Sequence, residues 1–103
     1  MATAFQERVY AHLVKNVPRG KVTTYGAIAK ALHSSPRAVG QALRVNPYAP
    51  KVPCHRVVAS NGAVGGFNGH TTGRDINRKI TLLKKEGIVF ISGYVPERQI
   101  LRR

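Results

Sequence analysis

The sequence predicts one mainly α domain with short β pieces, a winged-helix-like helix-turn-helix unit over residues 1–103. Three observations lead there. Apolar residues recur at helical spacing in several stretches, each bounded by capping or breaking residues. Two of those stretches are short and separated by only a few residues, which is the pattern of a helix-turn-helix. Residues 46–73, in contrast, are rich in Pro and Gly and hold only brief extended pieces. A chain of 103 residues has room for a modest core and none for a second catalytic domain.

Taken in order, Thr3-Ala4-Phe5-Gln6 has the form of a capping box, and Phe5, Val9, Leu13 and Val17 follow at helical spacing. A first helix is expected over 4–16, ended by Pro18 and Gly20. Lys21-Val22-Thr23 reads as a short extended link. Thr24 is placed to cap a second helix over 25–32, with Ile28, Ala29 and Leu32 on its apolar face. His33-Ser34 makes a tight connection to Ser35-Pro36, a cap followed by proline at the first helical position. The third helix, 36–45, turns Val39, Ala42 and Leu43 inward and Arg37, Ala38, Gly40, Gln41 and Arg44 outward. Beyond it, 46–73 reads as an ordered loop with an extended piece at 56–59 and a turn at Asn61-Gly62. Ile76, Ile80 and Leu83 mark a fourth helix over 74–86, closed by Gly87. Residues 88–91 and 94–95 flank Ser92-Gly93 as a terminal hairpin, and Arg102-Arg103 is expected to fray.

Charge narrows the function. Seventeen Lys and Arg against four acids give a net +13, with a pI near 11.0. Because the cations are spread along the chain and do not form a tail, they point to a folded basic face and a polyanionic partner, with nucleic acid first. Small residues on the third helix would let its backbone approach a groove, with Arg37 at the leading end. A plain helix pair in a bundle is the alternative when charge is set aside. No apolar run approaches the ~18 residues of a membrane span, and the N-terminus lacks a signal-peptide pattern. The expectation is an intracellular protein, nuclear in a eukaryote and cytoplasmic in a prokaryote, where thiols stay reduced.

Cys54 is the one cysteine, so an intrachain disulfide and a cysteine-based structural zinc site are excluded. It lies in Pro53-Cys54-His55-Arg56-Val57. Thiolates, not thiols, are nucleophiles, and an imidazole that takes the proton activates the sulfur. Neighbours on a strand face opposite ways, so Cys54 and His55 can cooperate only across a backbone turn or a water, and Pro53 favours a turn. A buried structural cysteine is the competing reading.

Pro53-Cys54-His55-Arg56-Val57-Val58 is preceded by Arg37-Ala38-Val39-Gly40-Gln41-Ala42-Leu43-Arg44-Val45-Asn46-Pro47 and followed by Ser60-Asn61-Gly62-Ala63-Val64-Gly65-Gly66-Phe67. Together with Leu82-Leu83-Lys84-Lys85-Glu86-Gly87, these segments resemble the C-terminal catalytic domain of the O6-alkylguanine-DNA alkyltransferases, from about Phe5 to Gly87. The resemblance implies repair by direct transfer: Cys54 accepts the alkyl group from guanine O6 and the protein is spent after one turnover. It implies that His55 is the base acting through a water, and that Glu86 orients the imidazole. Asn46 then bridges the turn before the cysteine, and Tyr25 donates toward guanine N3. It further implies that the nucleotide is flipped out of the duplex and that Arg37 fills its place. Ala38, Gly40, Gln41, Thr24 and Arg44 would lie along the minor groove. Cys54 and Val57, through their backbone, and Asn68 would read the base, while Pro53, Val64 and Phe67 would wall the alkyl site.

The partner implied is double-stranded DNA containing O6-alkylguanine, bound by a monomer that clusters on DNA, with no membrane, no metal and no cofactor. Phe67 stands where the family carries a pocket tyrosine, and Asn68 where it often carries serine. The single-domain length also resembles the alkyltransferase-like proteins, which bind alkylated DNA without transfer but lack the cysteine. Damage recognition without transfer therefore stands as the alternative.

Overall fold

A computed structural model of the chain describes residues 3–45, 47–48, 51–64 and 74–102, with side chains in the last segment from 77 onward. It is mainly helical, with a small parallel sheet. The helices are α1 (Ala4–Asn16), α2 (Tyr25–Ala31), α3 (Pro36–Arg44) and α4 (Arg74–Lys85). The strands are β1 (Val22–Thr24), β2 (Val57–Val58) and β3 (Ile100–Leu101), in the order β2-β1-β3 with both pairings parallel.

Local chemistry sets the helix ends where the sequence places them. Thr3 caps α1 with a full capping box: its hydroxyl accepts from the Gln6 amide at 3.1 Å, and Gln6 Oε1 accepts from the Thr3 amide at 2.8 Å. Ser35 caps α3 by accepting from the Ala38 amide, with Pro36 in the first turn. The turn between α2 and α3 forms because His33 adopts the left-handed region, φ 55°, so that the Ser34 amide reaches back to the Ala29 carbonyl at 2.8 Å. Gly87, φ +91°, closes α4 in the same way, its amide donating to Lys84 and that of Ile88 to Leu83.

The sheet divides two packed layers. On one side, Val9, Leu13 and Val17 of α1 and its C-terminal end, Ile28 of α2, and Val39 and Ala42 of α3 pack with Val57 and Cys54. On the other, Val22, Val58 and Ile100 pack with Leu83 of α4, Ile88 and Val95. This alternation follows from the period of two along a strand: Thr23, Val57 and Leu101 share one face, and Val22, Val58 and Ile100 the other. Two expectations change. The extended link at 21–23 is the start of the central strand of the sheet. The C-terminal end does not fray at Arg102, whose guanidinium donates to the Ser60 carbonyl and binds the Glu97 carboxylate. The expected terminal hairpin is realised as one bridged pair, Ile91 and Tyr94, around Ser92 and Gly93, both with positive φ. Among the described residues, no helix is long and apolar enough to cross a membrane.

Candidate active site

The turn that holds the cysteine is built by its sequence. Pro53 leads into a 3₁₀ turn, Cys54–Arg56, in which the Cys54 amide donates to Val52 at 2.8 Å and the Arg56 amide to Pro53 at 2.9 Å. The turn removes the strand geometry that would have set Cys54 and His55 on opposite faces. Cys54 is a buried member of the first core layer, with 6% exposure against none for Val57.

His55 and Glu86 meet as expected: Nε2 of the imidazole lies 3.0 Å from Oε2 of the carboxylate. Glu86 is held in turn by Arg56, whose Nε donates to Oε1 at 2.8 Å and whose second terminal nitrogen donates to Oε2 at 2.9 Å. The first terminal nitrogen of Arg56 donates to the Val17 carbonyl at 2.9 Å, tying the array to the end of α1. Burial raises the Glu86 carboxyl, but the hydrogen bonds from Arg56 and His55 and their charges outweigh it, leaving Glu86 below the usual carboxylate range. Burial holds His55 below its ordinary value; Glu86 opposes this, while Arg56 and Lys79 reinforce it. An ionised Glu86 facing a neutral imidazole fixes the proton on Nε2 and leaves the Nδ1 lone pair as the basic atom.

The helices place the other candidates unequally. Tyr25, at the start of α2, is half-buried; burial raises its phenol and charge at Cys54 raises it further. Pro53 is buried and Val64 half-buried. Arg37, Gln41 and Arg44 lie exposed on α3, with Ala38 half-buried. Two expectations need correction. Gly40 does not face outward: a Cβ built on it would lie 4.0 Å from the Tyr25 ring, because the helical period turns it toward α2. Thr24, expected at the DNA face, is buried, and its hydroxyl accepts from the Ala27 amide at 3.0 Å as the α2 cap. Val57, expected to read the base through its backbone, has a fully buried side chain, and its carbonyl accepts from Lys79 at 2.7 Å. Asn46, Phe67 and Asn68 lie outside the described residues.

Two residues of this site had no role in the sequence reading. Arg56 enters that reading only as part of the motif. Lys79, on α4, is fully buried and donates to the carbonyls of Val57 and Val64, joining the strand after the cysteine to the loop beyond the Asn61-Gly62 turn. Burial pushes its ammonium down to about 8, and the charge at Cys54 pushes the other way. The available signal was positional: Lys79 stands four residues before the inward Leu83, on the apolar side of α4.

Fold and site together define a helical domain on a small parallel sheet that carries a cysteine in one turn with a histidine held by a carboxylate. Residues 4–88 match the family model described as 6-O-methylguanine DNA methyltransferase, DNA binding domain, and the chain belongs to that family. It is 52% identical to a methylated-DNA–protein-cysteine methyltransferase of Thermococcus gammatolerans over 86 residues, covering 84% of this chain and 46% of that relative. The chain thus spans about half the length of such curated relatives. Among solved structures, it is similar to the O6-methylguanine-DNA methyltransferase of Pyrococcus kodakaraensis, with TM-score 0.74, 51% identity, and 84% and 47% of the two chains covered. It is also similar to the Mycobacterium tuberculosis OGT in complex with DNA, with TM-score 0.73, 41% identity, and 84% and 51% covered. The S. pombe Atl1 protein, solved in complex with damaged DNA containing O6-carboxymethylguanine, gives TM-score 0.75 at 28% identity and covers both chains fully.

Proposed function

We propose that this chain repairs DNA by moving an alkyl group, methyl first among them, from O6 of guanine onto Cys54. The observation that carries the reading is the array of Cys54 in its turn, His55 bonded to Glu86 at 3.0 Å, and Arg56 bonded to both oxygens of that carboxylate. Through a bridging water, Nδ1 of His55 takes the proton of the thiol while Nε2–H stays on Glu86. The sulfur then attacks the alkyl carbon from the side opposite O6. An S–C bond forms, the C–O6 bond breaks, and its electron pair passes to the guanine. Tyr25, at the start of α2, donates toward the purine as that charge develops, the proton taken up by His55 returns through water to the purine anion, and ordinary guanine remains in the strand. The thioether is stable, so each molecule acts once.

Guanine O6 cannot be reached inside a stacked duplex, and extruding the nucleotide costs a few kcal/mol. The net +13 charge supplies the phosphate affinity. α3 carries exposed Arg37, Gln41 and Arg44, and we assign that face to the minor groove, with Arg37 entering the vacated stack.

A second reading is supported by the full-length match to Atl1: recognition of the lesion without transfer. Mass separates the two. Incubation with a duplex bearing O6-methylguanine adds one methyl group to the wild-type chain and none to Cys54→Ala under transfer. Tight binding with unchanged mass leaves recognition alone.

A further inference from the structure

We infer that Arg56 is a positioning residue of this site, aiming Glu86 at His55 and keeping the imidazole available as a base; the inference rests on the transfer chemistry proposed above. A carboxylate at the end of a helix can rotate, and only one of its oxygens is needed by the imidazole. Arg56 grips both oxygens, at 2.8 and 2.9 Å, in the two-pronged geometry that a guanidinium and a carboxylate share. Its remaining terminal nitrogen is anchored on the Val17 carbonyl at 2.9 Å. The fork is therefore fixed at its base by the end of α1, at its own backbone by the turn after Cys54, and at its tip by the end of α4. Oε2 is left directed at Nε2 of His55.

The charge balance has a second effect. With Glu86 ionised and Arg56 cationic, a neutral His55 completes an array of no net charge. Without Arg56 the carboxylate would face the imidazole alone and favour its protonation, which removes the Nδ1 lone pair. The charged groups facing His55 are Arg56 of its own turn and Glu86 and Lys79 from the α4 side. On α1, Tyr10 is buried in the same core layer as Cys54, and its phenol is raised by burial first and, least among its causes, by the charge at Cys54. Removal of Arg56 leaves Lys79 as the one opposing cation among these, so the balance shifts toward the protonated ring.

The test compares Arg56→Gln and Arg56→Lys with the wild-type chain, following the His55 ring by NMR titration and methyl uptake from an O6-methylguanine duplex by mass across pH. In R56Q the His55 midpoint is expected to rise by an amount on the order of one pH unit, and the acid side of the transfer profile to move up with it. In R56K, which keeps the charge but not the fork, the midpoint is expected to stay while transfer slows roughly tenfold. An unmoved or lowered midpoint in R56Q overturns the inference, even if the variant melts earlier, because a purely structural role would lower stability alone. If R56Q does not fold, R56K decides: wild-type transfer in it overturns the assignment, and slowed transfer at the wild-type midpoint supports it. The NMR arm needs no reaction, so a wild-type chain that never gains a methyl group sinks the transfer reading while Arg56 is still tested.

Discussion

Nε2 of His55 and Oε2 of Glu86 lie 3.0 Å apart although 31 residues separate them in the chain. The 3₁₀ turn after Pro53 delivers the imidazole, and the end of α4 delivers the carboxylate. The bond settles the tautomer, since an ionised carboxylate accepts and the nitrogen facing it must carry the proton. Glu86→Gln removes a raising influence on His55, so the imidazole becomes a weaker base. The expected outcome is methyl transfer slowed tenfold or more, given that a positioned base contributes about 10²–10⁴-fold. The acid limb of the pH–rate profile should also move to lower pH. Single-turnover rates from pH 5 to 9 check this, and a profile superimposable on the wild type removes Glu86 from the network.

The same pair governs acid stability. Glu86 is held below its ordinary value in the folded chain, so its contribution is present above the unfolded pKa and is lost as pH falls through the folded one. His55 is also lowered, which means that the unfolded chain takes up its proton first; stability falls as pH drops below the ordinary histidine value of 6.5. Both effects have one sign. Urea unfolding at fixed salt should show stability declining from pH 7 toward pH 4; in Glu86→Gln the His55 part of the loss, below pH 6.5, deepens because the ring has lost its raising partner, while the carboxylate part, below pH 4.5, disappears. An equal slope in the two proteins would show that the acid loss arises elsewhere.

The helices were legible because their determinants are local: the capping box at Thr3, Ser35-Pro36, and Gly87 each act within a few residues. The sheet was not. Its strands are two or three residues long, too short for an alternating pattern, and the Thr23 hydroxyl bonds Leu101 from 78 residues away. Cys54, His55 and Glu86 were readable from the motif and its resemblance, and the structure brings His55 and Glu86 together as read. Thr24 and Gly40 were misplaced because a short helix leaves little to say which flank faces a neighbour. Lys79 was passed over because a lysine on a basic helix reads as solvated, and only the packed fold shows it buried beneath the cysteine loop.

Lys79 therefore carries its own prediction. Its ammonium is fully buried, with a folded pKa of about 8 against an ordinary value of 10.5. In the interval between these values the unfolded chain binds more protons than the folded one, so stability rises with pH from about 8 toward 10. Lys79→Met keeps much of the volume and removes the charge. The variant should lose that rise, and the Val57 and Val64 carbonyls should lose their donor, slowing transfer by loosening the loop against the strand. Chemical unfolding at pH 7.5, 8.5 and 9.5 distinguishes the outcomes; a variant that retains the wild-type pH slope would place the titration on another group.

On the DNA side, α3 exposes Arg37 in its first turn and Arg44 in its last, and these positions predict different defects. An arginine that fills the space of an extruded nucleotide acts only when there is a stack to fill. Arg37→Ala should accordingly slow transfer from duplex DNA on the order of tenfold or more, with little effect on reaction with the free alkylated base. Arg44, if it meets phosphate, contributes charge without reading the lesion. Arg44→Ala should weaken binding to damaged and undamaged duplexes alike, and should lower the slope of log affinity against log salt by about 1. Titrations at several salt concentrations, paired with rates on duplex and on free base, measure both. An equal loss on duplex and free base in Arg37→Ala would mean that the residue supports the fold or the pocket, and the assignment of α3 to the groove would lose its leading contact.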